Sequence, residues 1–490
     1  MIFASYPDSF RELPNKLSPL GKLLKFLHQL ISEGSSIHLL PFFESCGDGG
    51  FALKSWQKIN KDYGCWNDVN QIGKEYYLYV DLVINHIGIE HPWFQKFLEN
   101  PYRNHSFVYA YQTSLNLSSP NSPRGGPMLR EWSISGQRWL VWQTFNAEEV
   151  DINMEHPEVF NAIVQKMILL KNHNVHGLRI DAPAYFGKKL EGPPRHSDDS
   201  YRLARKVAKL AIEKGFKILA QLDTDAKALA YFPPSQGYNI PLVDYSYPIN
   251  LAASLIKEDI SFFNNHLKST WVIPQPLLRP IRTHDGMLMK SEFVLPYTRN
   301  AICKFARENK CYPRVIDGFD YELNCSLPFL FRIRSDQQSM LKRILIAVSV
   351  TAFVPGLPYF YLPAILGYVP EDCYNHEDEE PRSLNRLPLS FVFLEEFLKS
   401  DYYHELKKLL NVITYYWLPT DYNLITLNDV QVLDKAVLSL SRRDLGIRLI
   451  ANFSSKTEFS FAYNRKKSIY KSYHVITNSL PPLSIVIEEL

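Results

Sequence analysis

Arg179 and Asp181 stand two residues apart at the end of the apolar run His176-Gly177-Leu178-Arg179-Ile180-Asp181-Ala182. In a β-strand, residues two apart leave on the same side, so a buried strand ending here delivers a guanidinium and a carboxylate together. A neighbouring cation favours the charged carboxylate, and an ionised, aimed carboxylate is what a nucleophile needs. Taken alone, the pair fits a structural ion pair at a strand end equally well.

Three other stretches add groups of complementary chemistry. Asp81-Leu-Val-Ile-Asn85-His86 puts Asp81, Val83 and Asn85 on one side of a strand and His86 in the turn beyond it, although a single histidine there is more often a packed structural residue. Thr283-His284-Asp285-Gly286 repeats the pairing of imidazole and carboxylate. Neutral imidazoles suit sugar hydroxyls, and a carboxylate can grip two adjacent ones. Gly47-Asp48-Gly49-Gly50-Phe51 is a sharp glycine turn that presents Asp48 and Phe51.

These stretches sit at the ends of apolar runs that alternate with helical segments, the pattern of parallel βα units. Strands are expected near 2–6, 36–40, 78–84, 176–181, 216–221, 241–245, 279–283 and 349–354. Eight parallel strands close a (β/α)8 TIM barrel. A helix is expected over 157–173, with Val159, Ile163, Met167 and Leu170 facing the core, and another over 336–348. Two connections are far longer than ordinary loops. The expected layout is therefore barrel over 1–86, a lid insertion over 87–156, barrel over 157–285, a second lid over 286–335, barrel over 336–418, and a C-terminal antiparallel β domain over 419–490.

The 490 residues suffice for such a barrel with appendages, and 46% apolar with 21% charged residues is a globular balance. A net charge of +3 is too small to imply a nucleic-acid or membrane partner through its field. Arg465-Lys466-Lys467 reads as a solvated turn. The six cysteines (46, 65, 303, 311, 325, 373) lack metal-ligand spacing, so reduced thiols are expected. With no basic leader and no apolar run of transmembrane length, a cytoplasmic location is expected.

Over most of its length the chain resembles the α-amylase superfamily of retaining glycoside hydrolases and transglycosylases. The resemblance rests on the ordered motifs DLVINH (81–86), GLRIDA (177–182), THD (283–285) and PGLPYFYL (355–362), the last resembling the segment that closes the eighth strand. More narrowly, IHLLPFF (37–43) with GDGGF (47–51), WLVWQTFNAEEVDIN (139–153) and PRSLNR (381–386) look like the sucrose phosphorylase branch of glucoside phosphorylases. The resemblance implies Asp181 as the nucleophile that forms a β-glucosyl-enzyme, with Arg179 orienting it. It implies Asp285 as the carboxylate supporting the distorted ring, with His86 and His284 on the sugar hydroxyls. Asp48 and Arg386 match the clamp on the far rim, Phe51 the ring beneath it, and Arg124 a lid arginine that meets phosphate or the leaving sugar. Asn85 looks like a calcium ligand of some amylases, but the phosphorylase branch does without, so no metal or cofactor is expected.

One position departs from the pattern. Retaining glycosidases use two carboxyl groups, one attacking and one protonating the leaving oxygen, and the family's acid is a Glu closing the fifth strand. Here Gln221 stands there, and an amide has no acid proton to give. Three readings follow: a sugar-binding pseudoenzyme, an enzyme whose proton comes from elsewhere (Asp223 or Asp225), or a chain altered at 221. The expected function is retaining α-glucosyl transfer from a sucrose-like α-glucoside to phosphate or another acceptor. The alternatives are the catalytically silent binding protein and an α-glucosidase or amylase-type hydrolase.

Overall fold

Strands buried on both faces need helices on the outside and side-chain layers on the inside, and the chain meets both demands with one closed barrel. Its strands are β1 (Ile2–Ser5), β2 (Ser36–Leu39), β3 (Tyr77–Leu82), β4 (Val175–Ile180), β5 (Lys217–Ala220), β6 (Leu242–Val243), β7 (Leu277–Arg282) and β8 (Leu357–Tyr361). Each lies parallel to the next, and β8 pairs back onto β1 with Ala4 opposite Tyr361. The computed structural model describes all residues except 14, 115–117, 191, 292, 310, 312, 317–318, 370–381, 387, 418–428, 461–467 and 473–478. The 465–467 basic run, Cys373 and the expected junction at 418–419 lie outside the described residues.

The helix over Pro157–Asn172 buries Val159, Ile163, Met167 and Leu170, the stripe its spacing predicts. Seven strands overlap the runs read from the sequence, but the eighth does not. Residues 349–353 belong to the helix Gln337–Phe353, and the strand follows the Pro355-Gly356 turn. The run Val348-Ser-Val-Thr-Ala-Phe-Val354 reads as a strand because β-branched residues favour one. The helix wins because Asp336 caps it, accepting the Ser339 N–H at 2.6 Å, and because every residue from Arg343 to Phe353 is buried. A helix apolar on all sides carries no amphipathic stripe to betray it.

Two excursions rise from the barrel. After β3, the segment 86–151 builds the antiparallel pair His86–Gly88 with Glu149–Asp151, the helix Pro92–Glu99, and a sheet of Ala110–Gln112, Gln137–Trp142 and Leu129–Ile134 in that order. After β7, Met287–Leu288, Phe319–Leu323 and Pro313–Ile316 form a second three-stranded sheet beside the helix Pro296–Glu308. The C-terminal part is a five-stranded antiparallel sheet in the order Asp429–Asp434, Val437–Arg442, Ile447–Asn452, Ser484–Glu489, Ser468–Lys471. Among the described residues no helix is long and apolar enough to cross a membrane.

Register matters most between β3 and β4, where Asp81 lies opposite Arg179. Two strand ends thereby put a carboxylate and a guanidinium side by side on the barrel floor.

Candidate active site

A cavity of about 350 Å³ opens at the C-terminal ends of the strands, at the small end of the roughly 300–1,000 Å³ usual for ligand sites. Asp48, Phe51, His86, Arg124, Asp181, Gln221, His284, Asp285 and Arg386 all line it. Arg179 lies beneath the cavity rather than on its wall. Its Nη1 donates to Asp81 Oδ1 at 2.5 Å, while Asp181 Oδ1 is farther away at 3.6 Å. Asp81 is held in turn by His38, whose Nε2 lies 3.1 Å from Oδ2 and whose Nδ1 lies 2.9 Å from the Tyr359 hydroxyl.

This arrangement corrects the simple expectation that Arg179 keeps Asp181 ionised. Burial pushes the Asp181 carboxyl up to about 7; Arg179 opposes the rise, and the charges of Asp81, Asp285 and Asp48 add to it. The guanidinium interacts more strongly with Asp81, which His38 and Arg179 together hold well below the ordinary carboxylate range despite complete burial. Asp181 therefore titrates near neutrality in a site crowded with negative charge.

The far wall is a chain of ion pairs. Asp48, in the left-handed region at φ +50°, accepts from Arg124 Nη2 at 2.8 Å and from Arg386 Nη1 at 3.1 Å. Arg386 Nη2 continues to Asp285 Oδ1 at 3.3 Å, and Arg382 Nη1 reaches the same oxygen at 2.9 Å. Arg382 also grips Glu322 with two bonds of 3.0 Å, and Glu322 Oε1 accepts the Gly286 N–H at 2.6 Å. Gly49, at φ +56°, has to be glycine, since a Cβ there would lie 2.4 Å from Arg386 Nη1. Arg124, expected against the acceptor, lines the cavity and is also joined to the clamp through Asp48.

The two histidines are neutral. Burial lowers His86 to about 4 and His284 to about 3, with carboxylates only partly resisting. Phe51 stacks on the His284 ring at 5.3 Å and 11°. His86 Nε2 and His284 Nδ1 are buried without a hydrogen-bond partner among the described residues. Buried polar atoms normally have partners, so the wall presents hydrogen-bonding capacity toward a polyhydroxylated guest.

On the opposite side, Gln221 turns its Oε1 to the Ala182 N–H at 2.9 Å, directly after Asp181. Asp223, two residues on, lines the same cavity, and burial pushes its carboxyl up to about 7. Asp225 caps a short helix through the Ala228 N–H at 2.7 Å and pairs with Arg195 Nη2 at 3.3 Å. Tyr185, Phe145, Tyr321 and Lys290 complete this wall.

Several contributors escaped the sequence reading. Arg382 lies four residues before Arg386 in the same PRSLNR stretch, and that spacing is the signal that links the two. Tyr245, whose hydroxyl is 3.5 Å from Arg179 Nη2, follows a strand of only two residues. Glu149 is buried beside Asp48, and burial with the Asp48 charge pushes its carboxyl well above the ordinary range.

The Alpha amylase catalytic domain family matches residues 5–224, which include Asp48, His86, Asp181 and Gln221. The chain is 26% identical over 402 residues to the glucosylglycerate phosphorylase of Allomeiothermus silvanus, covering 78% of this chain and 71% of that protein. It is 25% identical over 456 residues to the sucrose phosphorylase of Streptococcus mutans, covering 87% and 91%. Its fold superposes on the crystal structure of sucrose 6F-phosphate phosphorylase from Thermoanaerobacter thermosaccharolyticum with a TM-score of 0.77, at 20% identity and over 92% and 94% of the two chains.

Proposed function

We propose that the chain, which is similar to the α-amylase catalytic domain family and to glucoside phosphorylases, transfers an α-glucosyl group with retained configuration through a covalent intermediate on Asp181. The donor is a sucrose-like α-glucoside and the acceptor phosphate or a small hydroxyl compound. The observation that carries this reading is the placing of Asp181 on the floor of a polar cavity walled by Asp48, His86, His284, Asp285 and Arg386. An attacking carboxylate below and hydroxyl-binding groups around the rim are what a single hexose with an exposed anomeric carbon requires.

In this reading the ionised Asp181 attacks the anomeric carbon. Asp285 stays charged, well below the usual carboxylate range because the Arg382 and Arg386 guanidiniums offset its burial, and it stabilises the positive charge that develops on the ring. The Asp48–Arg386 pair fixes the far hydroxyls, so the small cavity is filled by one sugar and the anomeric carbon is presented to Asp181. Gln221 serves as an orienting group, its carbonyl fixing the backbone beside the nucleophile through Ala182.

The decisive experiment uses α-glucosyl fluoride, whose fluoride leaves without a proton. Intact-mass and peptide mass spectrometry should find a glucosyl adduct on Asp181, absent from the Asp181→Asn variant. Binding of glucose without any adduct on Asp181 would reject the transfer reading in favour of a silent sugar-binding protein.

A further inference from the structure

Six carboxyl groups line the cavity: Asp48, Asp181, Asp223, Asp225, Asp285 and Glu322. A proton donor for a leaving oxygen must hold a proton at working pH and face the cavity. Asp48 lies between Arg124 and Arg386, Asp285 between Arg382 and Arg386, and Glu322 against Arg382. Asp225 pairs with Arg195, and Asp181 is the attacking group, with Arg179 at 3.6 Å. Asp223 alone among the six has no ion-pair partner among the described residues; it accepts only the Thr224 N–H at 2.8 Å and the Thr224 hydroxyl at 3.5 Å. It stands two residues beyond Gln221, whose side chain is occupied with Ala182.

We propose that Asp223 supplies and recovers the proton of the glucosyl transfer, a role the amide at 221 cannot perform. The inference rests on the transfer reading above. In the first step an Asp181 oxygen forms a bond to the anomeric carbon while the bond from that carbon to the leaving oxygen breaks. The electron pair goes to the leaving oxygen, which takes the Asp223 proton and departs as an alcohol. In the second step the Asp223 carboxylate takes a proton from the acceptor hydroxyl, whose oxygen bonds to the anomeric carbon as the bond to Asp181 breaks.

The surroundings suit the role. The groups that face Asp223 are Asp225 on its own loop, Asp244 beyond β6 and Arg195 from the loop after β4; burial and the two carboxylates outweigh the arginine, so Asp223 titrates at about 7. An acid poised near the working pH both gives and takes a proton readily.

The test compares wild type with Asp223→Asn on α-glucosyl fluoride, 4-nitrophenyl α-glucoside and phenyl α-glucoside. The variant should lose about 10²–10³-fold in kcat/KM on the phenyl donor and only a few-fold on the fluoride, so that its rates fall steeply as the leaving group becomes more basic. Labelling of Asp181 by the fluoride certifies that the variant's pocket is intact. A second measurement needs no variant: in wild type, kcat/KM for the phenyl donor should fall as pH rises through about 7, and the fluoride profile should lack that limb. An Asp223→Asn protein with the wild-type dependence on leaving group overturns the proposal, as does a phenyl-donor profile without the alkaline limb. Failure of wild type to form any adduct on Asp181 from the fluoride removes the transfer reading itself, and this inference with it.

Discussion

Removing Arg382 is the sharpest test of how the cavity wall is held together. The side chain makes three charged hydrogen bonds, two to Glu322 at 3.0 Å and one to Asp285 at 2.9 Å, and all three groups are largely buried. In Arg382→Met, Asp285 keeps Arg386 at 3.3 Å, but Glu322 is left with the Gly286 N–H and the weaker pull of the Arg314 charge. The loss therefore falls on Glu322 as a poorly compensated buried charge, for which up to about 3–5 kcal/mol is typical. Adding Glu322→Gln removes that charge and still offers Gly286 an acceptor, so the double variant should recover about 1–3 kcal/mol of the loss. The pH dependence carries a definite sign. In wild type the Arg382 charge outweighs burial only enough to keep Glu322 below its ordinary value; the resulting stability is present above the unfolded value of about 4.3 and fades as pH falls through the folded one. In Arg382→Met the order reverses, with Glu322 raised by burial, so the variant's deficit should be full at pH 7 and shrink as pH approaches about 4. Urea unfolding, read as midpoint shifts at unchanged slope, measures both effects. A single-variant loss below about 1 kcal/mol, or a double variant no more stable than the single, would refute this account of the wall.

Three further outcomes are expected. Since Asp181 must be ionised to attack and titrates at about 7, kcat/KM for α-glucosyl fluoride should fall tenfold per pH unit below that value; a rate still flat at pH 5 would contradict the assignment. Gly49→Ala places a methyl 2.4 Å from Arg386 Nη1 at a left-handed φ of +56°, a backbone state costing about 1–2 kcal/mol per non-glycine residue. Thermal unfolding should register that loss, and KM for the donor should rise at least tenfold as Arg386 is displaced. Gln221→Glu introduced into Asp223→Asn should restore phenyl α-glucoside turnover by at least tenfold, because it returns a carboxyl group to the same cavity; steady-state kinetics of the double variant decide this.

Most of the site was legible before any fold was drawn, and the misses are instructive. Asp181, Arg179, His86, His284 and Asp285 were readable because they end apolar runs, where a barrel places its chemistry whatever the loops do. The strand mistakenly drawn over 349–354 shows the limit of local propensity, since a β-branched stretch becomes helix once an upstream cap and full burial favour it. Arg382 and Glu149 went unnoticed because their meaning lies in partners 60 and about 100 residues away. Nothing local distinguishes such a residue from one on a solvated loop.

What the sequence determined by itself was the alternation that makes parallel strands, the residue types at their C-terminal ends, and the amide of Gln221 just beyond the fifth strand. Only the tertiary structure decided which charges meet. It gave Arg179 chiefly to Asp81, joined Arg124 to Asp48, and left Asp223 in the cavity without an ion-pair partner among the described residues. The reason is physical: backbone pattern is a property of neighbours along the chain, whereas a carboxyl's proton is governed by burial and by charges within a few ångströms in space, which folding alone brings together.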